Sequence, residues 1–497
     1  MAYKRIQIPK GVKHSLWGVI DAALYPVVSI ATIPIMIHGL GLVTFGLWIL
    51  LNSMITILQL FNFNTGVANM GMATVRNVST APGDNDARHM NDIVNGTLHI
   101  ILLFFIGIVG IGYILSLVAV QNAWWGLGNA KGTNVALCIL LATVIAGLKY
   151  FDQVFQSIIK AYEHFKMSSI LNMIYRFGSL GLTLVMAVAH YSLDKILWAN
   201  IVFLIAYLIL QFCCVKWIMP AWRIGKLNES GLYRSILHIS IWPWIQVVIV
   251  VLTFQTDRFW VSSNFGLKVV SGYGLVSTIF NHIHMIFTAM AFWILPRIAL
   301  MVKKGEDPAK LYYLVRGTVL GIIVIALLLF NYTAPLLLPF WAGKDTSAML
   351  LMYIKYFVGF EIVFAHSIMP SFYLNAAGKG RLATKLILFY CSVCYVFMLC
   401  GLWLYHTPMA MIGGMTIAMC VTMPAVNAVV QKEMYQTYSW RQALFEMLPM
   451  YGAILLLYND NNIWTYIVLA LIVSMLLWKF YLSNLFNNRR WQQTPYM

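Results

Sequence analysis

Fourteen apolar runs of bilayer-spanning length fill this chain, and the longest gap between them is only about 24 residues, Asn69 to Asp92. A helix needs roughly 20 apolar residues to cross about 30 Å of hydrocarbon. The runs fall at 15–37, 44–68, 93–119, 133–158, 168–189, 196–218, 236–261, 271–295, 311–331, 351–373, 382–404, 409–430, 443–459 and 463–485. The second is the most polar, with Asn52, Gln59, Asn62 and Asn64, and the thirteenth is short. Gaps this small leave no room for a separate catalytic domain, so the chain acts inside a membrane or at its two faces. A mean hydropathy of +0.78 and 10% charged residues agree with a polytopic, all-α membrane protein. Barrel strands would be about ten residues long with polar alternation, unlike these uniformly apolar runs. The first run is too long for a cleaved leader, and no Ala-x-Ala-like site follows it, so it reads as a retained span.

Sorting Lys and Arg by alternate loops gives 25 on one side and 6 on the other, with Lys149 and Arg176 inside spans. The larger set includes Arg297, Lys303, Lys304, Lys310 and Arg316. This bias puts both termini in the cytoplasm and accounts for most of the net charge of +17. Nucleic-acid binding is not expected, because the basic residues are scattered over short loops and form no domain. All seven cysteines lie in spans. Cys391 and Cys394 have C-x-x-C spacing but no His or carboxylate nearby, so they read as small core residues.

The halves echo each other. Gly39-Leu40-Gly41-Leu42 and Phe45-Gly46-Leu47-Trp48 open the second span, while Gly266-Leu267 and Gly272-Tyr273-Gly274-Leu275 open the eighth. The basic turns Ile159–Lys166 and Leu374–Arg381 also occupy matching places. The expected organisation is a six-helix bundle over 1–218, a cytoplasmic linker over 219–235, a second six-helix bundle over 236–442, and an added helix pair with tail over 443–497. Segment 69–92 is expected to carry a short interfacial helix.

His38-Gly39-Leu40-Gly41-Leu42-Val43-Thr44-Phe45-Gly46-Leu47-Trp48 resembles the first-loop signature of the oligosaccharide flippases. These are the polysaccharide transporters of the multidrug/oligosaccharidyl-lipid/polysaccharide superfamily. Asp257-Arg258, Leu295-Pro296-Arg297, Phe340-Trp341-Ala342-Gly343 and Leu374-Asn375-Ala376-Ala377-Gly378-Lys379 are similar to further family patterns, and the likeness runs over most of residues 10–430. The resemblance implies a MATE-like fold of about 14 helices. It also implies movement of an undecaprenyl-pyrophosphate-linked oligosaccharide from the inner to the outer leaflet of a bacterial cell membrane, without a resident cofactor. A monomer working beside membrane lipids and polysaccharide polymerase machinery is expected. The first span has Asp21 and no Arg, unlike the arginine-bearing first span of peptidoglycan-precursor flippases. That departure points to an O-antigen, capsule or exopolysaccharide repeat unit.

A charge at the bilayer centre costs a few kcal/mol and needs a partner or water. Lys149 in the fourth span and Arg176 in the fifth both lie roughly 13 Å deep, so antiparallel neighbours bring two cations to one level. Asp152 lies one turn from Lys149, at i+3. These residues, with Asp21, Asp257 and Arg258, are the expected substrate contacts. Arg would meet a pyrophosphate bidentately and Lys would act as a point charge. The plainer alternative is a self-satisfied Lys149–Asp152 pair with Arg176 snorkelling. Glu361, mid-span, and His366 are candidates for coupling to H+ or Na+, or for structural pairing with a cation such as Arg176. His282 and His284 read as cavity or helix-contact residues. Trp242, Trp244, Trp124 and Trp125 suit sugar stacking or an interfacial belt. Pro26, Pro34 and Pro243 would let the first and seventh spans bend during alternating access. A drug antiporter of the same superfamily would want an acid-dominated cavity. A membrane enzyme would want a large outer loop with catalytic groups, and neither paired carboxylates nor metal-spaced His occur.

Overall fold

A computed structural model describes residues 10–62, 84–122, 124–129, 133–162, 164–220, 222–225, 232–291, 294–435 and 440–459. The described chain is all helix: α1 (Lys10–Leu40), α2 (Leu42–Leu58), α3 (Asp84–Gln121), α4 (Val135–Ala161), α5 (Phe165–Val188), α6 (Leu193–Ile218), α7 (Leu232–Gln255) and α8 (Asp257–Phe265). Then come α9 (Leu267–Ala291), α10 (Ile294–Lys303), α11 (Ala309–Ala342), α12 (Lys344–Phe364), α13 (Ile368–Ala376), α14 (Gly380–Tyr405), α15 (Pro408–Tyr435) and α16 (Trp440–Asn459). The expected seventh span is split into α7 and α8, and the eighth lies in α9 as far as Ala291. The tenth is split into α12 and α13 by a 3-10 turn at Ala365–Ser367. The fourteenth span and most of 69–92 lie outside the described residues. Ten described helical stretches are long and apolar enough to cross a membrane, as a multi-pass membrane protein requires.

Helices dominate because hydrocarbon offers the backbone no alternative partner. Polar side chains inside spans obey the same rule. Thr56, Thr97, Thr143 and Thr416 each donate to the carbonyl four residues back, at 2.8–2.9 Å.

The chain forms two compact units, Met1–Gly274 and Leu275–Met497, and the boundary falls inside α9. In the first unit α4 packs against α2, α3 and α6, while α5 packs against α1 and α6. The start of the 219–235 segment is anchored in this unit. Trp222 is 1% exposed, and its indole N–H donates to Asn95 Oδ1 at 3.2 Å. In the second unit α15 packs against α12, α14 and α16, and α11 against α12.

The two echoed turns share a backbone conformation. Gly41 has φ 76°, ψ 157° before α2, and Gly266 has φ 81°, ψ 170° before α9. This region is essentially closed to residues with a Cβ. Gly46, on α2, sits so close to α9 that a Cβ there would lie 2.1 Å from the Leu267 carbonyl oxygen. The glycine-rich signature is therefore a packing device in the first unit.

Arg316 corrects the sequence reading. It is not a loop cation but part of α11, 1% exposed. One guanidinium nitrogen lies 2.7 Å from Glu446 Oε2 on α16, and another 3.3 Å from His366 Nδ1. Gln431 on α15 donates to the other Glu446 oxygen at 2.6 Å. Arg316 follows a run of exposed cations, Arg297, Lys303, Lys304 and Lys310, on and between α10 and the start of α11, which disguised it; reassigning it leaves the basic asymmetry intact. The pair pins α16 into the second unit. Removing one partner of a buried pair strands the other charge at a cost of roughly 3–5 kcal/mol, whereas replacing both with apolar residues is often neutral. Glu446→Ala should thus lower the unfolding midpoint of detergent-solubilised protein strongly. Arg316→Met/Glu446→Met should recover most of the loss, as followed by intrinsic Trp fluorescence.

Candidate functional site

The expected Lys149–Arg176 pair is assembled by α1, α4, α5 and α6 of the first unit. Lys149, half-buried on α4, places its ammonium 5.6 Å from the centre of the Tyr175 ring on α5. The next residue, Arg176, also half-buried, places its guanidinium carbon 5.4 Å from the centre of the Tyr25 ring on α1. Both cations therefore meet at one step of α5, each over a tyrosine face, where the ring quadrupole attracts a positive charge.

Asp152 is occupied from another direction. Gln211 Nε2 on α6 donates to its Oδ1 at 2.8 Å, and the Tyr207 hydroxyl also bonds its carboxylate. Gln211 Nε2 donates in addition to Tyr207 Oη at 2.8 Å, and Gln156 Nε2 does so at 3.0 Å. Ser168 Oγ donates to Gln156 Oε1 at 2.5 Å. The carboxylate is thus held by an amide and a phenol and also attracts the Lys149 ammonium one turn away, while both cations stand against rings.

α5 has the lowest hydropathy of the ten apolar stretches and is also the least covered. α3 has the highest hydropathy and is likewise poorly covered. The most exposed α5 side chains within the span are apolar, Ile174 and Val185 among them, whereas Asn172 and Arg176 are half-buried.

The remaining candidates form separate groups. Asp257 and Arg258 begin α8 and are 2% and 5% exposed. Asp257 accepts the Arg258 backbone N–H and the Tyr273 hydroxyl, both at 2.8 Å, and Arg258 donates to Ser53 Oγ on α2 at 2.9 Å. This cluster ties α8, α9 and α2 together. Asp21 belongs to α1, but its side chain lies outside the described residues, as do those of Trp242 and Pro243. Trp244 spends its indole N–H on the Leu60 carbonyl at 2.5 Å. Trp125 packs edge-on against Phe259 at 5.0 Å.

In the second unit, Glu361 is 2% exposed and lies 2.8 Å from His284 Nδ1, whose ring stacks on Phe364 at 4.4 Å. Its partner is a histidine of α9, while His366 joins Arg316 and Glu446 instead. No group of three or more potential metal ligands occurs among the described residues. Sequence reasoning missed Tyr25, Tyr175, Tyr207 and Gln211, because aromatic residues in spans resemble interfacial anchors and a lone Gln carries no pattern.

A cation site open to water on the Arg176 side of α5 has a direct consequence. In a cysteine-free background, Asn172→Cys, one turn before Arg176, should react readily with a charged methanethiosulfonate. Leu103→Cys and Ile106→Cys on α3 should react at least about tenfold more slowly, because the attacking thiolate does not form in lipid. Equal rates at the three positions would remove water access to this side of α5.

No protein-family profile matches the chain, and no curated protein does. Solved structures match over nearly its whole length. An inward closed conformation of the lipid II flippase MurJ aligns with TM-score 0.64 at 12% identity, covering 96% of this chain and all of that one. An inward-facing MATE family multidrug resistance transporter of the MOP superfamily aligns with TM-score 0.62 at 15% identity, covering 84% of this chain and 96% of that one. The MATE multidrug transporter DinF-BH aligns with TM-score 0.56 at 13% identity, covering 88% and 97%. The chain has the all-helical fold that these flippase and multidrug-transporter structures share.

Proposed function

We propose that this protein is a flippase that carries an undecaprenyl-pyrophosphate-linked oligosaccharide from the cytoplasmic to the outer leaflet of a bacterial inner membrane by alternating access. The cargo would be an O-antigen, capsule or exopolysaccharide repeat unit. The observation that carries the reading is the pair of mid-span cations, Lys149 and Arg176, meeting at one step of the polar helix α5 over tyrosine faces. Asp152 answers part of the Lys149 charge, while a ring face stabilises a cation without bringing a negative charge of its own, which leaves these cations able to meet a diphosphate as well. The Lys149 ammonium and the Arg176 guanidinium would hold the pyrophosphate, with the polyprenyl tail left in lipid.

A second reading is a cation-coupled antiporter for small molecules, favoured by the buried Glu361–His284 pair and by the multidrug transporters of like fold. Under either reading that pair is the proposed point of coupling to H+ or Na+.

Flipping of a fluorescent polyprenyl-pyrophosphate oligosaccharide in proteoliposomes tests the choice. Lys149→Ala and Arg176→Ala should each weaken transport about tenfold or more, in line with losing one charge-assisted contact to phosphate. Both variants should keep the wild-type unfolding midpoint. Absence of flipping by wild type, with proton-driven export of an organic cation, would transfer the assignment to the antiporter.

A further inference from the structure

The Lys149 contact poses a problem of stiffness. A lysine ammonium sits on four rotatable methylenes, and holding it in one place costs rotamer entropy. Tyr175, which meets it, is itself half-buried on an exposed helix and would not stay fixed unaided. Its ring is enclosed by two rings of α6. Phe203 stacks at 6.3 Å with a 16° interplanar angle, and Tyr207 at 4.9 Å with 25°. These are offset stacks within the favourable centroid range of about 4.5–7 Å.

Of the two α6 rings, Tyr207 is the immobile one. It is 3% exposed. Its oxygen accepts from Gln156 of α4 and Gln211 of α6, and bonds Asp152 of α4. Gln156 in turn accepts from Ser168 of α5. One phenol is thus held by α4 and α6, and through Gln156 it is linked to the start of α5. Its ring face supports Tyr175, while its hydroxyl meets the carboxylate one turn beyond Lys149.

We infer that Tyr207 is a positioning residue for the anion site, its ring backing Tyr175 so that Tyr175 holds the Lys149 ammonium where a diphosphate must meet it. This rests on the reading of Lys149 as a substrate contact. Tyr207 itself touches no substrate; it acts through Tyr175. Tyr207→Phe keeps the stacking ring but frees it from Gln156, Gln211 and Asp152, whereas Tyr207→Leu removes the platform altogether.

The test is a double-mutant cycle on the full chain in proteoliposomes, with a fluorescent polyprenyl-pyrophosphate disaccharide as probe. Half-saturating concentration and maximal rate are read separately. Lys149→Ala and Tyr207→Leu should each raise half-saturation about tenfold with maximal rate retained, the scale of one lost cation contact. The pair should be no worse than Lys149→Ala alone, and Tyr207→Phe, which keeps the stack but loses the bonds that fix it, should fall between wild type and Tyr207→Leu. An additive loss of about a hundredfold in the pair would show Tyr207 acting independently of Lys149 and overturn the inference. No effect of Tyr207→Leu, with Lys149→Ala impaired, would overturn the inference alone. No effect of Lys149→Ala would overturn the anion site and the inference together. If Tyr207→Leu fails to fold, Tyr175→Leu on the half-buried face of α5 takes its place in the same cycle, with the same expected and overturning outcomes.

Discussion

An ionised side chain in hydrocarbon has to be answered within reach of its own atoms, and this requirement organises the protein. The described charges are answered in different ways. Arg316 meets a carboxylate, Glu446, and an imidazole. Arg258 meets a hydroxyl, while its neighbour Asp257 is held by Tyr273 and a backbone amide. Lys149 and Arg176 meet ring faces. The first two arrangements use up the charge in holding helices together. The third stabilises the cation without cancelling it. The paired charges fasten helices, and the aromatic-backed charges lie where an anion is proposed to bind.

Helix interruptions lie beside the other charges. α7 gives way to α8 at Thr256, immediately before Asp257 and Arg258. α12 gives way to α13 through a 3-10 turn that contains His366. Breaking a helix inside a span releases backbone groups that must find new partners, and ionisable side chains can supply them. Asp257 does so directly, accepting the amide N–H of Arg258 at 2.8 Å. The breaks are local compromises with a nearby polar group to satisfy them.

The spans were legible because an apolar run of this length has one stable outcome in lipid, and the likeness of two turns was legible because both need a glycine. The depth of Lys149 and Arg176 could be counted from helix rise. Their setting could not. Gln156 and Tyr207 are 51 residues apart, Asp152 and Gln211 are 59, and His284 and Glu361 are 77. Hydropathy fixes where a helix lies but not its rotation, so it gives no sign that Tyr175 turns toward Lys149. Arg316 escaped for a related reason: composition cannot tell an exposed cation at a helix start, such as Lys310, from a buried one two turns further on. The glycine signature carried meaning that only packing reveals, since Gly46 is small to admit the Leu267 carbonyl.

The Arg316–Glu446 pair also bears on how the chain is made. Its members are separated by 130 residues of sequence, and His366 lies 50 residues after Arg316. At roughly 5–20 residues per second of synthesis, Glu446 leaves the ribosome on the order of ten seconds after Arg316. Throughout that interval α11 holds a guanidinium without its counter-ion. The imidazole arrives first and the carboxylate last, so the second unit closes electrically only when α16 is inserted. A nascent chain halted before residue 440 would carry the Arg316 guanidinium without the carboxylate that faces it in the finished second unit. Completing the membrane insertion of this protein is then an ordered event, in which a late helix retroactively secures an early one.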